Sequence, residues 1–394
     1  MPRNFVSKKA AQFTESVIRE MTRLAAKHDA INLSQGYPDF AASEAIKEAA
    51  VQAIRGDINQ YAITWGAQEL REALCRKYAK YNGMTIDPVK HVTVTCGGTE
   101  AMISALSAVI NPGDEVVIFE PYYENYGPDT ILSGARPRFV RLHEPDWHFD
   151  EKEVARAFNK RTKAIVINTP NNPTGKVFTR EELTVLAKLC QKWDALAVTD
   201  EVYEHIIYEG KHVSIATLPG MAERTITTSS LSKTFCITGW RLGYCISPER
   251  LSGAIRKVHD FLTVGAPHPL QVAAARLMDN PNGLFEGLRA EYLERRELFY
   301  PVLEEAGFKP LLKPAGAYYV MCDISGFGFK TDTDFARWLV EKGGVATVPG
   351  SSFYDDPRDG YGQVRFAFCK KLDTLRAGAE KLRHLPKPPT GKRK

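Results

Sequence analysis

Residues 227–244 read TTSSLSKTFCITGWRLGY and carry a single lysine, Lys233, with an arginine, Arg241, eight residues further on. The segment joins two runs of mostly apolar or β-branched residues, RTITTSS (224–230) and RLGYCIS (241–247), which are typical of buried strands. Hydroxyl side chains therefore stand where one predicted strand ends, directly before a lone cation.

Runs of the same kind recur upstream and alternate with amphipathic segments such as TREELTVLAKLCQKWD (179–194). Such alternation predicts an α/β domain with a mostly parallel, buried sheet flanked by helices. The upstream runs are VTVT (92–95), EVVIF (115–119), AIVINTP (164–170) and ALAVTDE (195–201).

Polar residues cluster where these runs end, and the carboxyl ends of parallel strands are where α/β folds bind ligands. A ligand site is therefore predicted at this edge of the sheet. Its candidate residues are Gly97, Gly98 and Thr99 after VTVT, Asn171 and Asn172 after AIVINTP, Asp200 and Tyr203 at the end of ALAVTDE, and Ser230 and Lys233 after RTITTSS.

The chain has 394 residues, which is long for one hydrophobic core, so two domains are predicted. Past residue 290 the pattern changes to a long charged helix, GLRAEYLERRELFYPVLEEAG (287–307), followed by strand-like AYYVMCDI (317–324) and VRFAFC (364–369). The prediction is a small α+β domain from residues 1–50 and 290–385, a large α/β domain of residues 51–289, and a basic disordered tail at 386–394.

Composition is that of an ordinary globular chain, with 44% hydrophobic and 25% charged residues. Four positive charges of the net +5 lie in the tail PKPPTGKRK, which leaves the rest near +1, unlike the basic face of a nucleic-acid-binding protein. The seven cysteines are scattered without a C-x-x-C pair, which predicts a reducing, cytoplasmic setting and no metal site. The N-terminus has no apolar leader and no long apolar stretch follows, so no membrane contact is expected.

Three interpretations of Lys233 are open from its own segment. It is a solvated surface lysine, as most lysines are, or the lysine of a serine hydrolase, since Ser230 to Lys233 matches S-x-x-K, or an amine that binds pyridoxal phosphate. The hydrolase requires S-D-N and K-T-G partners, and the chain contains neither string nor a G-x-S-x-G elbow. A Walker loop and a G-x-G-x-x-G motif are also missing from the sequence, so a phosphate would have to be bound by residues outside these two motifs.

Each candidate residue has a plain structural explanation when it is taken alone. The glycines at 97 and 98 open a helix, EAMISALSAVI (100–110), and such turns are usually structural even though helix N-termini attract anions. Asp200 is by default a cap or a solvated carboxylate, Asn172 a turn residue, and Tyr203 an aromatic packed on the sheet. Only the ordered set of motifs decides between these explanations and a common site.

That ordered set resembles the class I and II aminotransferases, the pyridoxal-phosphate enzymes of fold type I, over residues 15–385. The resemblance implies a large domain with a seven-stranded-type sheet that binds the cofactor. The motifs that carry it are TPNNPTGK (169–176), VTDEVYEH (198–205), SSLSKTFCITGWRLGY (229–244) and VRFAFC (364–369). Three further segments resemble the kynurenine, glutamine, methionine and succinyldiaminopimelate aminotransferase branch, namely INLSQGYPDF (31–40), NQYAITWGAQELREAL (59–74) and EPYYENY (120–126).

The resemblance implies a role for each matching position. Lys233 corresponds to the Schiff-base lysine, Asp200 to the partner of the ring nitrogen, and Arg365 to the ligand of the substrate α-carboxylate. The other implied contacts are Gly97, Gly98, Thr99, Ser230 and Arg241 at the phosphate, Tyr123 on the ring face, Asn172 and the catalytic Tyr203 at ring oxygen O3′, Tyr61 at the phosphate of the neighbouring subunit in a homodimer, and Gly36 with Asn172 beside the substrate carboxylate.

These residue types suit amino-group transfer between an L-amino acid and a 2-oxo acid such as 2-oxoglutarate or pyruvate. A Lys233 amine of lowered pKa can accept the Cα proton. Asp200 keeps the ring nitrogen charged, so that the ring withdraws electrons. The planar fork of Arg365 orients a carboxylate better than a lysine does.

The substrate side chain and two alternative functions stay open at this point. An aromatic, large apolar or broadly tolerated side chain is expected from five aromatics near the motifs, and no second arginine can be assigned to a distal carboxylate. A β-eliminating C–S lyase is the nearest alternative, because the same carbanion can expel a leaving group. A non-catalytic regulator is a remote one, since it would need a DNA-binding module ahead of the motifs. The five aromatics are Tyr37, Trp65, Tyr123, Tyr318 and Phe353.

Overall fold

The structure is a computed structural model that describes residues 5–279 and 283–388. Most of the predicted tail lies outside these residues. The α-helices are α1 (Val17–Lys27), α2 (Glu44–Arg55), α3 (Gln68–Lys77), α4 (Gly98–Val109), α5 (Tyr126–Ser133), α6 (Glu151–Ala157), α7 (Arg180–Trp193), α8 (Leu231–Thr234), α9 (Glu249–Thr263), α10 (His268–Asp279), α11 (Leu284–Glu305), α12 (Asp332–Trp338) and α13 (Leu372–Arg383). The strands are β1 (Ile31–Asn32), β2 (Val92–Thr95), β3 (Glu115–Glu120), β4 (Arg136–His143), β5 (His148–Phe149), β6 (Thr162–Asn168), β7 (Leu196–Asp200), β8 (Thr225–Ser230), β9 (Gly243–Ile246), β10 (Lys309–Pro310), β11 (Tyr319–Asp323), β12 (Val345–Ala346), β13 (Val348–Pro349) and β14 (Gln363–Ala367).

The large sheet has the strand order β2-β9-β8-β7-β6-β3-β4-β5. The five consecutive strands from β8 to β4 are parallel, whereas β9 runs antiparallel to both of its neighbours. The two-residue strand β5 pairs antiparallel with the end of β4 and adds an eighth member to the predicted seven. The predicted α/β fold with a mostly parallel sheet is therefore confirmed.

Strand β4 is the long strand that the sequence pattern does not reveal. Its apolar residues are interrupted by Arg136, Arg138 and Arg141. Burial begins only at Val140, after an exposed and half-buried stretch. A strand near the edge of a sheet needs one apolar face at most, so the run lacks the continuous apolar pattern of its neighbours.

The large sheet is covered on both faces, because successive side chains of a strand point to opposite sides. In β3, Val117 and Phe119 pack in one core with Leu183 of α7. Val116 and Ile118 of the same strand pack in another core with residues of α4 and α9. With both faces closed, a ligand can reach the sheet only at its ends.

A second, antiparallel sheet of order β10-β11-β14-β13 packs against α11, α12 and α13. Strand β1 pairs in parallel with β12, so Ile31 lies beside Val345 and the first residues of the chain lie against the last part. The predicted domain division stays a prediction. The boundaries that it sets near residues 50 and 290 fall inside helices α2 and α11. Helix α2, which the first boundary divides, packs on α10. Within the described residues, no helix combines the length and the apolar character needed to cross a membrane.

Candidate active site

A cavity of about 250 Å³ lies at the carboxyl ends of β6, β7 and β8. The last residues of these strands, Asn168, Asp200 and Ser230, all line it, because parallel neighbours end together. Eleven predicted site residues meet here although they are scattered along the chain. They are Gly36, Gly98, Thr99, Tyr123, Asn172, Asp200, Tyr203, Ser230, Lys233, Arg241 and Arg365.

Lys233 lies in α8, a single helical turn that follows β8 directly. Ser230 caps this turn, since its Oγ accepts the Ser232 N–H at 3.1 Å. The cap therefore fixes the position of Lys233 relative to the end of β8. The Nζ of Lys233 donates to Gly36 O at 2.8 Å. Burial lowers the pKa of Lys233 to about 8, which leaves part of the amine neutral near physiological pH.

Asp200 ends β7 with its carboxylate on the cavity wall. Its Oδ2 accepts from Tyr126 Oη at 2.7 Å, and its Oδ1 accepts the Val202 N–H at 3.3 Å. Burial raises the pKa of this carboxyl, while the Tyr126 hydrogen bond opposes the rise. The group is thus a positioned acceptor for an N–H donor inside the cavity.

Arg365 lies in β14 and is 1% exposed. Its Nη1 donates to Asn172 Oδ1 at 2.8 Å and its Nη2 donates to Ser34 O at 2.6 Å. The rings of Tyr319 and Phe353 lie 4.3 and 5.0 Å from its Cζ. Its Nε has no hydrogen-bond partner in the described part of the chain. The guanidinium is therefore held in one orientation with donors left over for an anion.

The opposite end of the cavity is formed by the start of α4 and by Arg241. Gly97 precedes α4 with φ of 88°, and a Cβ there would lie 2.3 Å from Arg241 Nη2. Gly97 does not line the cavity but allows Arg241 to lie against the helix. Arg241 Nη1 also donates to Thr238 O at 3.0 Å. A helix N-terminus, a guanidinium and the Ser230 hydroxyl together suit a phosphate.

Aromatic residues form much of the remaining wall. Tyr203 Oη and Tyr319 Oη are 2.9 Å apart, and Tyr318 Oη donates to Gly36 O at 2.9 Å. A larger residue at Gly36 would displace the Tyr319 side chain, because a Cβ would lie 1.9 Å from Tyr319 Oη. The ring of Tyr123 makes an edge contact with that of Tyr126, with centroids 5.7 Å apart.

The pocket aromatics predicted from sequence are only partly brought together. Tyr37 and Tyr123 line the cavity, whereas Tyr318 and Phe353 do not: Tyr318 bonds to Gly36 O and Phe353 packs on Arg365. Trp65 does not line the cavity. Its ring packs instead against Arg256, whose Cζ lies 4.9 Å from the ring centroid. Tyr61 is 81% exposed and does not line the cavity of its own chain.

Several cavity residues have no signal in the sequence that identifies them. Tyr126 and Asp129 of α5 and Tyr319 of β11 become neighbours of the predicted residues only through packing between elements. Arg19, from the first turns of α1, also lines the cavity, and its guanidinium makes no hydrogen bond or ion pair within residues 5–279 and 283–388. Arg19 is not among the site residues predicted from the sequence, and it lines the cavity together with Arg241 and Arg365.

A buried cluster of ionisable groups lies beyond the cavity wall. Ligand atoms of Glu201, Glu204 and His212 all lie within 4.8 Å of one another. Lys77 Nζ lies 2.5 Å from Glu204 Oε1, and His212 Nε2 lies 2.8 Å from Glu201 Oε2. The two carboxylates are thus paired with basic groups of the chain, so we assign no metal to this cluster.

Comparison with known proteins gives consistent results over nearly the whole chain. The family model "Aminotransferase class I and II" matches residues 28–382. Human (Homo sapiens) kynurenine–oxoglutarate transaminase 1 is 38% identical, over 92% of this chain and 94% of that protein. The methionine aminotransferase of Escherichia coli (strain K12) is 35% identical, over 96% of this chain and 97% of that protein.

Solved structures agree with the sequence matches. The N-succinyldiaminopimelate aminotransferase of Mycobacterium tuberculosis superposes with a TM-score of 0.93 at 35% identity, covering 97% of this chain and all of that one. Similarity of this extent in sequence and fold, together with the cavity around Lys233, leaves one assignment. The chain belongs to the class I and II aminotransferase family, and the enzyme class predicted from its motifs is confirmed.

Proposed function

We propose that the enzyme transfers an amino group between an L-amino acid with an aromatic or large apolar side chain and a 2-oxo acid, with pyridoxal 5′-phosphate bound at Lys233. One observation carries the proposal: the Lys233 amine, the Asp200 carboxylate and the Arg365 guanidinium line one cavity. They come from α8, β7 and β14, and each suits one need of the reaction. These needs are a base, a partner for the ring nitrogen and a carboxylate ligand.

The residues present fit the cofactor at both ends of the cavity. The start of α4, where the absence of a Cβ at Gly97 leaves room for Arg241, would hold the phosphate with Ser230 and Arg241. Asp200 would hold the ring nitrogen, and Asn172 with Tyr203 would hold ring oxygen O3′. Bound there, the cofactor supplies an electron sink for the charge that deprotonation leaves at Cα.

Lys233 is the group that would move the proton. Its Nζ would accept the proton from the substrate Cα and hold it for return in the reverse direction, and a pKa of about 8 suits both gain and loss of that proton. The tyrosine rings of Tyr203 and Tyr318, each 5.9 Å from Nζ at their centroids, limit access of water to this amine. Water exclusion protects the proton from exchange with solvent.

Arg365 would orient the substrate. Because Asn172 and Ser34 hold two of its nitrogens, the plane of the guanidinium is fixed before the carboxylate arrives. A carboxylate bound to this plane leaves the Cα–H bond in a defined direction relative to Lys233. The same interaction serves the amino acid and the oxo acid, as reversible transfer between two substrates requires.

The wall near α1 supports the proposed substrate classes. Ile18, Tyr37 and Met102 line the cavity and favour a large apolar side chain. Arg19 supports an acceptor with a second carboxylate, such as 2-oxoglutarate, because an arginine without a partner can pair with that group. The names of the relatives, which include kynurenine, methionine and oxoglutarate, are compatible with both classes.

We also propose a cytoplasmic homodimer in which Tyr61 reaches the cofactor phosphate of the second copy. The side chains of Tyr61, Ile63, Phe261 and Val264 are 81%, 47%, 92% and 47% exposed. Their two segments lie together, since Thr64 Oγ1 is 3.3 Å from an Asp260 carboxylate oxygen. Covering this apolar surface with a second copy would remove it from water. Seven free thiols suit a reducing compartment.

The proposed function is tested by trapping the cofactor and by screening donors. Borohydride reduction of the coloured enzyme, followed by digestion and mass spectrometry, is expected to add the cofactor mass to the Lys233 peptide. Aromatic and large apolar amino acids are then offered with 2-oxoglutarate or pyruvate, and consumption of each donor is measured. An unmodified Lys233 peptide would refute the assignment. Release of ammonia and pyruvate from a cysteine conjugate, without transfer, would favour the C–S lyase.

A further inference from the structure

Asp129 is an acid group of the cavity that the proposed chemistry does not use. It lies in α5, one helical turn after Tyr126, and lines the cavity while being only 5% exposed. Its Oδ2 has no hydrogen-bond partner in residues 5–279 and 283–388. Its main chain is satisfied, because its N–H donates to Asn125 O at 2.8 Å and its carbonyl accepts from Ser133 Oγ at 2.8 Å. The side-chain carboxyl of Asp129 therefore takes no part in the hydrogen bonding of α5.

The surroundings of the Asp129 carboxyl favour its neutral form. Burial raises the pKa of Asp129 to about 8, and no neighbouring charge offsets the effect. A buried polar group without a partner destabilises a folded chain, and such groups concentrate at functional sites. Since Asp129 lines the cavity, the partner that would compensate for its burial is a group that enters the cavity.

The geometry of α5 relates Asp129 to Asp200. Residues three apart on a helix lie on the same face, so the Asp129 carboxyl is a neighbour of the Tyr126 ring, whose hydroxyl donates to Asp200 at 2.7 Å. Both carboxyls line the same cavity and, in addition to burial, both raise the pKa of the Tyr123 hydroxyl, so a positive charge that enters the cavity beside Asp200 also lies within the electrostatic field of Asp129. The protonated ring nitrogen of pyridoxal phosphate is a charge of this kind.

Other ionisable groups around α5 already have different surroundings. Glu100 of α4 is bonded to Ser104 and to His259. The remaining ionisable groups of the cavity wall are Arg19, Tyr37, Tyr123, Glu124, Tyr126, Asp200, Tyr203, Lys233, Arg241, Tyr319 and Arg365. Those of the strands packed on α5 are Glu115 and Glu120 of β3, and Arg136, Arg138, Arg141 and His143 of β4.

We propose that Asp129 is a second acid group of the cofactor site, which releases its proton to solvent when pyridoxal phosphate enters and its protonated ring becomes the partner of the carboxylate. The inference rests on the proposed function, because it needs that cofactor in that cavity. It assigns to Asp129 a positioning and charge-balancing role beside Asp200, without contact with the reacting carbon.

The test counts protons during cofactor binding. Calorimetric titration of the cofactor-free, full-length chain with pyridoxal phosphate at pH 7, in PIPES and in imidazole, gives the number of protons released from the difference in heat. Asp129→Asn is expected to release about 0.9 fewer protons than wild type, since a group with a pKa of about 8 is mostly protonated at pH 7. Asp129→Leu, which also lacks the acid, is expected to give the same decrease.

Glu120→Gln is the matched control, because burial also raises the pKa of Glu120, but its Oε2 accepts the Asp355 N–H at 3.0 Å and it does not line the cavity. Its proton count is expected to equal that of wild type. An unchanged count in both Asp129 variants would overturn the inference while leaving the proposed function intact. Failure of wild type to bind the cofactor would refute the proposed function itself.

Discussion

Arg365→Lys is the substitution that most directly tests how the enzyme holds its substrates. A guanidinium has five N–H donors. In this structure one goes to Asn172 and one to Ser34, so three remain, and a carboxylate takes two of them side by side. A lysine at this position keeps the charge but presents one nitrogen instead of a planar fork. It can therefore replace at most one of the two hydrogen bonds to the substrate.

The expected loss follows from that count. One charge-assisted hydrogen bond contributes about 1.5–3 kcal/mol, which corresponds to about 10- to 140-fold weaker binding. The decrease should be similar for the amino acid and for the oxo acid, because both bind through the α-carboxylate. Arg365→Ala should lose more, and it also leaves Asn172 Oδ1 and Ser34 O without their donor, which costs stability as well.

The assay is the dissociation constant of each substrate, read from the absorbance of the bound cofactor in the loaded enzyme. The colour itself should persist in the variant, because the phosphate is held at the other end of the cavity. Arg295→Lys is the control for loss of a buried arginine, since Arg295 is 7% exposed, donates to Lys370 O at 2.8 Å and does not line the cavity. Substrate affinities in Arg365→Lys equal to those of wild type would refute the carboxylate role.

Four further outcomes are expected. Asp200→Ala should still bind the cofactor yet slow exchange of the substrate Cα–H for deuterium, measured by NMR, and an unchanged exchange rate would mean that another group supports the ring nitrogen. The rate at which the cofactor-free chain captures pyridoxal phosphate should rise with pH and level off above about 8, because only the neutral Lys233 amine reacts and its pKa is lowered to about 8; a rate still rising past pH 10 would contradict that environment. Arg19→Gln should raise KM about twofold to fivefold for 2-oxoglutarate but not for pyruvate, as an exposed ion pair contributes up to about 1 kcal/mol, while Arg23→Gln, whose arginine is paired with Glu15, should change neither. Inactive Lys233→Ala and inactive Tyr61 variants, unfolded and refolded together, should regain up to one working site per heterodimer, whereas a mixture as inactive as its parents would place Tyr61 in its own chain.

Local physical chemistry made much of the fold readable from the sequence. Continuous apolar strands such as β6 and β7 must be buried on both faces, so their composition alone predicts a parallel sheet covered by helices. The capping box of Thr179 and Glu182 marks the start of α7 in the same way. Because parallel strands end at one edge, Asn172, Asp200 and Lys233 could be predicted to share a site.

Tertiary structure decided the features that depend on contacts between distant segments. Arg365 faces the cavity only because β14 pairs with β11 and its guanidinium reaches Asn172 and Ser34. The lowered pKa of Lys233 and the raised pKa of Asp129 arise from burial by several elements, and no local motif encodes desolvation. Sequence therefore determined which groups stand at the ends of strands, through propensity and periodicity, while packing determined their charge, orientation and partners.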